Sequence, residues 1–304
     1  MALNILEYGE KTAKKFDEKF IQDSVTGFLA TNPTQVDFVD TKTVLVTDIE
    51  MSGMGDYDRD NGYPIGSITT SKTPYVLTQD RGRGFQIDVM DADEAGIQNA
   101  TLMAMWQKRY VVPEVDSYTL SKLFSFATAK SHTTSYNPAV GTIYTQLINA
   151  MNTAADLCGE DEPLVCFMPY SVRGIVQTST ELSKMLTVSD FKQGAISTKV
   201  KTLDNMQFIF VPTARMYTLY DSLNGTDEGQ YNGGLVKNSA ANNIKYMIMP
   251  KNIGKLITKT QNIQVISPQA NNTANAWKFN YRRYYDMIVL NEAQNYIVAG
   301  YYAS

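Results

Sequence analysis

Residues 276–290 carry a two-residue alternation over fifteen positions. Trp277, Phe279, Tyr281, Tyr285, Met287 and Val289 fall on one side, and Arg283 alone breaks that face. The opposite side mixes Lys278, Asn280, Arg282 and Asp286 with apolar residues. Fifteen residues at ~3.3 Å each span roughly 50 Å, far beyond the usual strand of about five or six residues. A strand of that length is the strongest demand this sequence makes on its fold. A last, short strand is expected over 296–302.

The rest of the chain reads as mixed α and β. Residues 142–158 are the clearest helix: Ile143, Leu147, Ala150, Met151 and Ala154 recur at helical spacing, and Gly159 follows as a stop. Buried strands are expected at 164–168, 206–211 and 244–249, each bounded by proline, with a short helix starting at Pro169. This alternation over 142–255 suggests a compact α/β domain. Its least ordered part is expected at 223–243, where Gly, Asn and Asp cluster. Upstream, residues 92–129 predict one long helical rod. Asp91, Asp93 and Glu94 sit at its start, where the helix dipole favours anions, and Pro113 predicts a kink or break near 111–113.

Residues 43–50 and 75–89 read as two extended segments around a tip holding Gly53, Gly55, Gly62 and Gly66. Together they predict a two-stranded loop over 43–90. A two-stranded ribbon is marginal in isolation, so it should lie against something else. Residues 25–42 look like an extended arm. Residues 4–22 predict an amphipathic helix with Phe16 and Phe20 on its apolar face, which must dock on its own body or on a neighbour.

Composition removes most catalytic classes. The 304 residues allow two domains or one elaborate one, and 43% apolar content supports a real core. Lys and Arg total 27 against 31 acids, a net charge of -4, which disfavours a dedicated nucleic-acid binder. One histidine, His132, and two cysteines, Cys158 and Cys166, leave little for zinc enzymes, histidine-dependent hydrolases or disulfide scaffolds. The cysteines read as free thiols buried as small hydrophobes, and His132 as a surface-loop residue. No stretch approaches the ~18 apolar residues of a membrane span. The N-terminus lacks the pattern of a signal peptide, which points to a reducing cytosol.

Known chemical motifs are missing or incomplete. There is no phosphate loop, zinc helix or nucleophile elbow. Gly82-Arg83-Gly84 lacks the third glycine of a dinucleotide fingerprint. Asp56, Asp58 and Asp60 are spaced like calcium-loop ligands, but the required glycine position holds Asn61 and the twelfth holds Ser67, so a solvated tip is the better reading. Residues 251–304 are locally basic, with six Lys and Arg against Asp286 and Glu292. Arg283 lies on the apolar face and is expected to pair across an interface or with an acid.

The order of parts resembles that of tailed-bacteriophage major capsid proteins with the Hong Kong 97-type fold, an α+β fold. Tyr75-Val76-Leu77-Thr78-Gln79-Asp80-Arg81-Gly82-Arg83-Gly84-Phe85-Gln86-Ile87-Asp88 looks like the return strand of their hairpin. Val111-Val112-Pro113-Glu114-Val115-Asp116 resembles their spine-helix region. Arg283-Tyr284-Tyr285-Asp286-Met287 and Ala299-Gly300-Tyr301-Tyr302 resemble their C-terminal strands. The resemblance implies an N-terminal arm at 1–42 and an extended loop at 43–86. It implies a peripheral domain at 87–140 and 256–291, and an axial domain at 141–255 and 292–304.

What the resemblance implies is assembly, with no catalytic residue, cofactor or metal. Copies of the chain would form hexamers and pentamers that close an icosahedral shell around double-stranded DNA held without sequence-specific binding. Other implied partners are a portal protein and, given the short stretch before the hairpin, a scaffolding protein on a separate chain. No membrane is implied; the location is the virion, assembled in the bacterial cytoplasm. Subunit contacts are expected at Phe16, Phe20, Tyr57, Arg59, Tyr63, Lys72, Arg81, Arg83, Phe85, Arg282 and Arg283. Lys72 is the one lysine within 43–86, and no pair of positions matches a crosslinking pattern. A cellular nanocompartment shell of the same fold, and an enzyme with an unrecognised site, are the alternatives.

Overall fold

The computed structural model describes residues 24–302 except 32–36, 41, 61, 91–98, 160, 181–185 and 194–195. The expected helix over 4–22, with Phe16 and Phe20, and the acids Asp91, Asp93 and Glu94 lie outside the described residues. In chain order, a 3-10 turn (Gly27–Leu29) leads to β1 (Ala30–Thr31), β2 (Asp37–Phe38), β3 (Thr43–Met51), β4 (Ile68–Val76) and β5 (Gln79–Asp88). A helical rod follows: α1 (Asn99–Trp106), a π-helical turn (Gln107–Val111) and α2 (Val112–Ala129). Then come β6 (Thr133–Ser135), α3 (Ile143–Cys158), β7 (Leu164–Pro169), α4 (Tyr170–Thr178), β8 (Thr187–Gln193), β9 (Ile196–Leu203) and β10 (Met206–Val211). The chain closes with β11 (Tyr220–Leu223), β12 (Gly234–Lys237), β13 (Asn243–Pro250), β14 (Gly254–Ile266), β15 (Ala276–Val289) and β16 (Val298–Tyr302).

A seven-stranded sheet has the order β6-β16-β13-β7-β10-β9-β8. Its central strand β7 is buried along its whole length, because both faces are covered. Leu164, Cys166 and Met168 pack with Ile143 and Leu147 of α3, while Val165 and Phe167 pack with Leu120 and Leu123 of α2. Burying each such side chain contributes about 1.5–3 kcal/mol. α3 ends at Gly159, as expected from the sequence.

The long strand β15 is real and forms the spine of a four-stranded sheet, β1-β14-β15-β5. It pairs antiparallel with β14 from Gly254↔Val289 to Ile266↔Lys278, and with β5 from Tyr285↔Gln79 to Ala276↔Asp88. Phe279, Tyr281, Tyr285, Met287 and Val289 join the core with α2. Arg283 interrupts that face and is itself 2% exposed. It donates to Thr258 Oγ1 at 3.1 Å and lies over the Tyr285 ring.

Four expectations need correction. The return strand of the hairpin is β4, not 75–88: β3 pairs with β4 from Thr43↔Val76 to Met51↔Ile68, and β5 leaves to pair with β15. Ten consecutive positions on β15, with Phe85 and Ile87 packed on the core, outweigh continuation of the ribbon. The rod does not break at Pro113, and the irregularity it carries is a π-turn at Gln107–Val111. Proline lacks an N–H and its ring crowds the carbonyl four residues back. A π-turn absorbs this: the N–H of Val112 bonds to Gln107 O, five residues back, and Pro113 falls in the first turn of α2. The 223–243 stretch is held in a hairpin of β11 with β12. Its connecting loop is tied by Asn224 Oδ1, which accepts from the N–H groups of Thr226 and Asp227.

The fourth correction concerns the arm. Residues 24–26 are docked on α2 rather than merely extended. Asp116, 0% exposed, accepts from Ser24 Oγ (2.5 Å), Thr26 Oγ1 (2.7 Å), the N–H groups of Val25 and Thr26, and Arg215 Nη1 (2.8 Å). Five donors offset the cost of burying one carboxylate. Strands β8, β9 and β14 went unread in the sequence.

Candidate functional site

The hairpin β3–β4 has two unlike halves. Near its root, Val44 is fully buried and packs with Leu77, Ile257, Tyr284 and Ile288, so this part lies on the back of β14 and β15. Beyond it the ribbon leaves the body. A sixteen-residue loop, 52–67, closes the far end. Its neck is stitched by Ser52 and Ser67, whose hydroxyls are 2.9 Å apart and whose backbone groups bond across the strands.

The tip is apolar and bare. Met54, Tyr63 and Ile65 are 85–105% exposed, and Met51, Tyr57 and Ile68 add to the same end. The rings of Tyr57 and Tyr63 pack on each other, 5.0 Å apart. Around Arg59 the backbone turns back through the Asp58–Gly62 bridge, with Asp60 N–H bonded to Asp58 Oδ1. Asp56, Asp58 and Asp60 all face solvent. Single exposed apolar side chains are ordinary, but a cluster of this kind on a projection marks a surface that another molecule covers.

The root is clamped by polar groups. Asp286 on β15 accepts from Thr78 N–H (2.9 Å), Thr78 Oγ1 (2.8 Å) and Tyr118 Oη (2.7 Å). Burial, with Asp286 beside it, pushes the Tyr118 hydroxyl far above the ordinary tyrosine range. Tyr284 Oη donates to Leu77 O at 2.8 Å. On the other side, Asp40 caps the entry to β3 by accepting from Lys42 and Thr43 N–H, and these bonds lower its pKa. Lys259 Nζ reaches Asp40 O and lies over the Phe38 ring. The hairpin is therefore fixed where it departs from the body.

The expected contact residues divide along this geometry. Tyr57, Arg59, Tyr63 and Lys72 lie on the exposed part of the hairpin. Arg81, Arg83, Phe85 and Arg282 lie on the body with partners inside the chain. Arg81 Nε meets Glu114 at 2.6 Å, Arg83 donates to the Gly225 and Tyr231 carbonyls, and Phe85 packs edge-on against Trp106. Arg282 makes a two-pronged pair with Asp80 at 2.8 and 2.6 Å, and this pair lowers the Asp80 pKa. Sequence reading missed the bare methionines and isoleucines of the tip, although Met51, Met54, Ile65 and Ile68 flank the glycines that marked it.

Catalytic machinery is not assembled around the remaining candidates. His132 Nδ1–H donates to Asn295 O at 2.6 Å, a structural bond that ties the β6 approach to the segment before β16. Cys158 and Cys166 are free thiols, and burial raises the pKa of both. Among the described residues, no group of three His, Cys, Asp or Glu is placed to hold a metal ion. Among them too, no helix is long and apolar enough to cross a membrane.

Solved structures with a similar architecture include phage capsid structures and a virus-like particle. The chain matches one from Gordonia phage Cozz with a TM-score of 0.58 and 11% identity, over 92% of this chain and 86% of that one. It matches the capsid structure of cyanophage P-SCSP1u with a TM-score of 0.56 and 8% identity, over 88% and 85%. A virus-like particle from Pyrococcus furiosus matches with a TM-score of 0.55 and 9% identity, over 96% and 99%. No family model and no curated protein matches the sequence. The chain has the fold of tailed-phage major capsid proteins.

Proposed function

We propose that this chain is a major capsid protein that assembles as hexamers and pentamers into an icosahedral shell around phage double-stranded DNA. The supporting observation is the projecting hairpin, clamped at its root and bare at its apolar tip, on a capsid fold. An apolar cluster on a projection of this kind suits a surface that a neighbouring copy covers. In this reading the hairpin is the extended loop, 1–42 the N-terminal arm, 87–140 with 256–291 the peripheral domain, and 141–255 with 292–304 the axial domain. The role is structural rather than enzymatic. Scaffolding and portal proteins are its further partners, and the virion, built in the host cytoplasm, is its location.

The second reading is a cellular shell of the same fold that packs a protein cargo; the likeness to the virus-like particle from Pyrococcus furiosus covers nearly all of both chains. Expression with its neighbouring genes, followed by negative-stain microscopy and nuclease treatment, decides. Closed shells holding nuclease-protected DNA beside portal and terminase genes support the first reading, and shells loaded with an enzyme support the second. A chain that stays monomeric with every neighbouring gene product present overturns both.

A further inference from the structure

Beside the π-turn lies a cavity of about 910 Å3, which opens between the rod, β5, β15 and the β11–β12 hairpin. Its volume falls within the range of about 300–1,000 Å3 typical of small-molecule sites. Five arginines reach its wall from four parts of the chain: Arg81 and Arg83 from β5, Arg109 from the π-turn, Arg215 after β10, and Arg283 from β15. Glu114 is the one acid among its lining residues. Asp116, the partner of Arg215, is fully buried behind the wall. A concave wall with this excess of positive charge focuses the field on whatever enters.

Four of the arginines, all but Arg109, are also held in place beforehand. Arg81 is fixed by Glu114 and by Gly234 O at 3.1 Å. Arg83 is fixed by carbonyls, which orient its guanidinium without cancelling its charge. The loop is built around that group: Gly225 has φ +77°, and a Cβ there would meet Arg83 Nη1 at 2.6 Å. Arg109 is exposed and makes no hydrogen bond or ion pair among the described residues. Trp106 and Pro113 give one side of the cavity an apolar surface. The π-turn, which widens the helix beside Pro113, is what presents Arg109 here.

We propose that this cavity binds a small phosphate-bearing polyanion of nucleoside-triphosphate size. Guanidinium forks match phosphate oxygens two at a time, and preset forks lose little freedom on binding. Duplex DNA offers its phosphates on a convex surface, which a recess of this kind does not follow. The proposal concerns a single chain and stands independently of the shell reading.

The test is calorimetric titration of the purified full-length chain with tripolyphosphate and with ATP at constant ionic strength. Saturable binding near one equivalent per chain is expected. Arg109→Ala should weaken it at least tenfold, and Arg109→Glu should abolish it. Arg109 has no partners to lose, so both variants should keep the wild-type thermal midpoint. Lys122→Ala, further along α2 and not among the cavity's lining residues, should bind normally. Absence of saturable binding by either probe overturns the proposal, as does equal binding by wild type and Arg109→Glu. A short DNA duplex is the second arm. If it displaces tripolyphosphate and depends equally on Arg109, the cavity is a contact for the DNA backbone and the small-ligand proposal falls.

Discussion

Asp116 shows how much of this fold depends on single polar side chains. In the sequence it is one acid on a helix, where a solvated position would be the ordinary expectation. In the structure it joins the arm at 24–26, the rod and the segment after β10 through one carboxylate. Asp116→Ala removes the acid partner of Arg215 and an acceptor of two buried hydroxyls, a change that costs about 3 kcal/mol or more. The urea midpoint of the unassembled chain should fall accordingly, and protease sensitivity should rise first near residues 24–26. The Asp80–Arg282 pair sits at the other extreme, more than 40% exposed on both sides, so it contributes little. Its pH dependence still has a definite sign. The pKa of Asp80 is lowered in the folded chain, so its contribution is present above the unfolded value near 3.8 and is lost as the pH falls through the lower folded value. The gap in thermal midpoint between wild type and Asp80→Asn should therefore close below about pH 3.8. Neither pair was legible beforehand, because the partners are 99 and 202 residues apart and carry no local pattern.

At the scale of elements, legibility follows periodicity. β15, α3, β7, β10 and β13 were readable because each repeats apolar residues at its own period over enough positions. β5 was readable as a strand but not as a partner of β15, since alternation says which face is buried and nothing about which neighbour supplies the ladder. Pro113 was readable as an obstacle, while the π-turn that accommodates it was not. The ribbon was readable from its first strand and its glycine-rich tip, while its return strand was assigned too late in the chain; in the proposed function its contacts are made at the tip. Tyr63→Ser with Ile65→Ser should leave the denaturation midpoint of the unassembled chain within about 0.5 kcal/mol of wild type, since both side chains are bare. The same double variant should sharply reduce shell yield in sedimentation. A loss of monomer stability instead would place the tip against its own body.

At the scale of the molecule, the low share of charged residues suits the proposed role, since interface cores are depleted in charge. The candidate site was legible only as a region, because burial inside an assembly leaves no mark on one chain's sequence beyond apolar residues in a loop. Limited proteolysis gives the matching expectation. Trypsin has one target in the tip loop, Arg59, and should cut there in the unassembled chain and much more slowly in shells. Equal rates in both states would show that the tip stays uncovered.

The clamp at Leu77, Thr78 and Asp286 has a mechanical consequence. Nine residues of β4 at ~3.3 Å each make a lever of roughly 30 Å from that clamp to the tip. A rotation of about 10° at the root swings the far end by roughly 5 Å, the spacing of neighbouring strands. The contacts at the root, with the Asp286 carboxylate among them, therefore bear on where the tip can land. In the proposed shell, tolerance at that root would set how much curvature a single chain can accommodate.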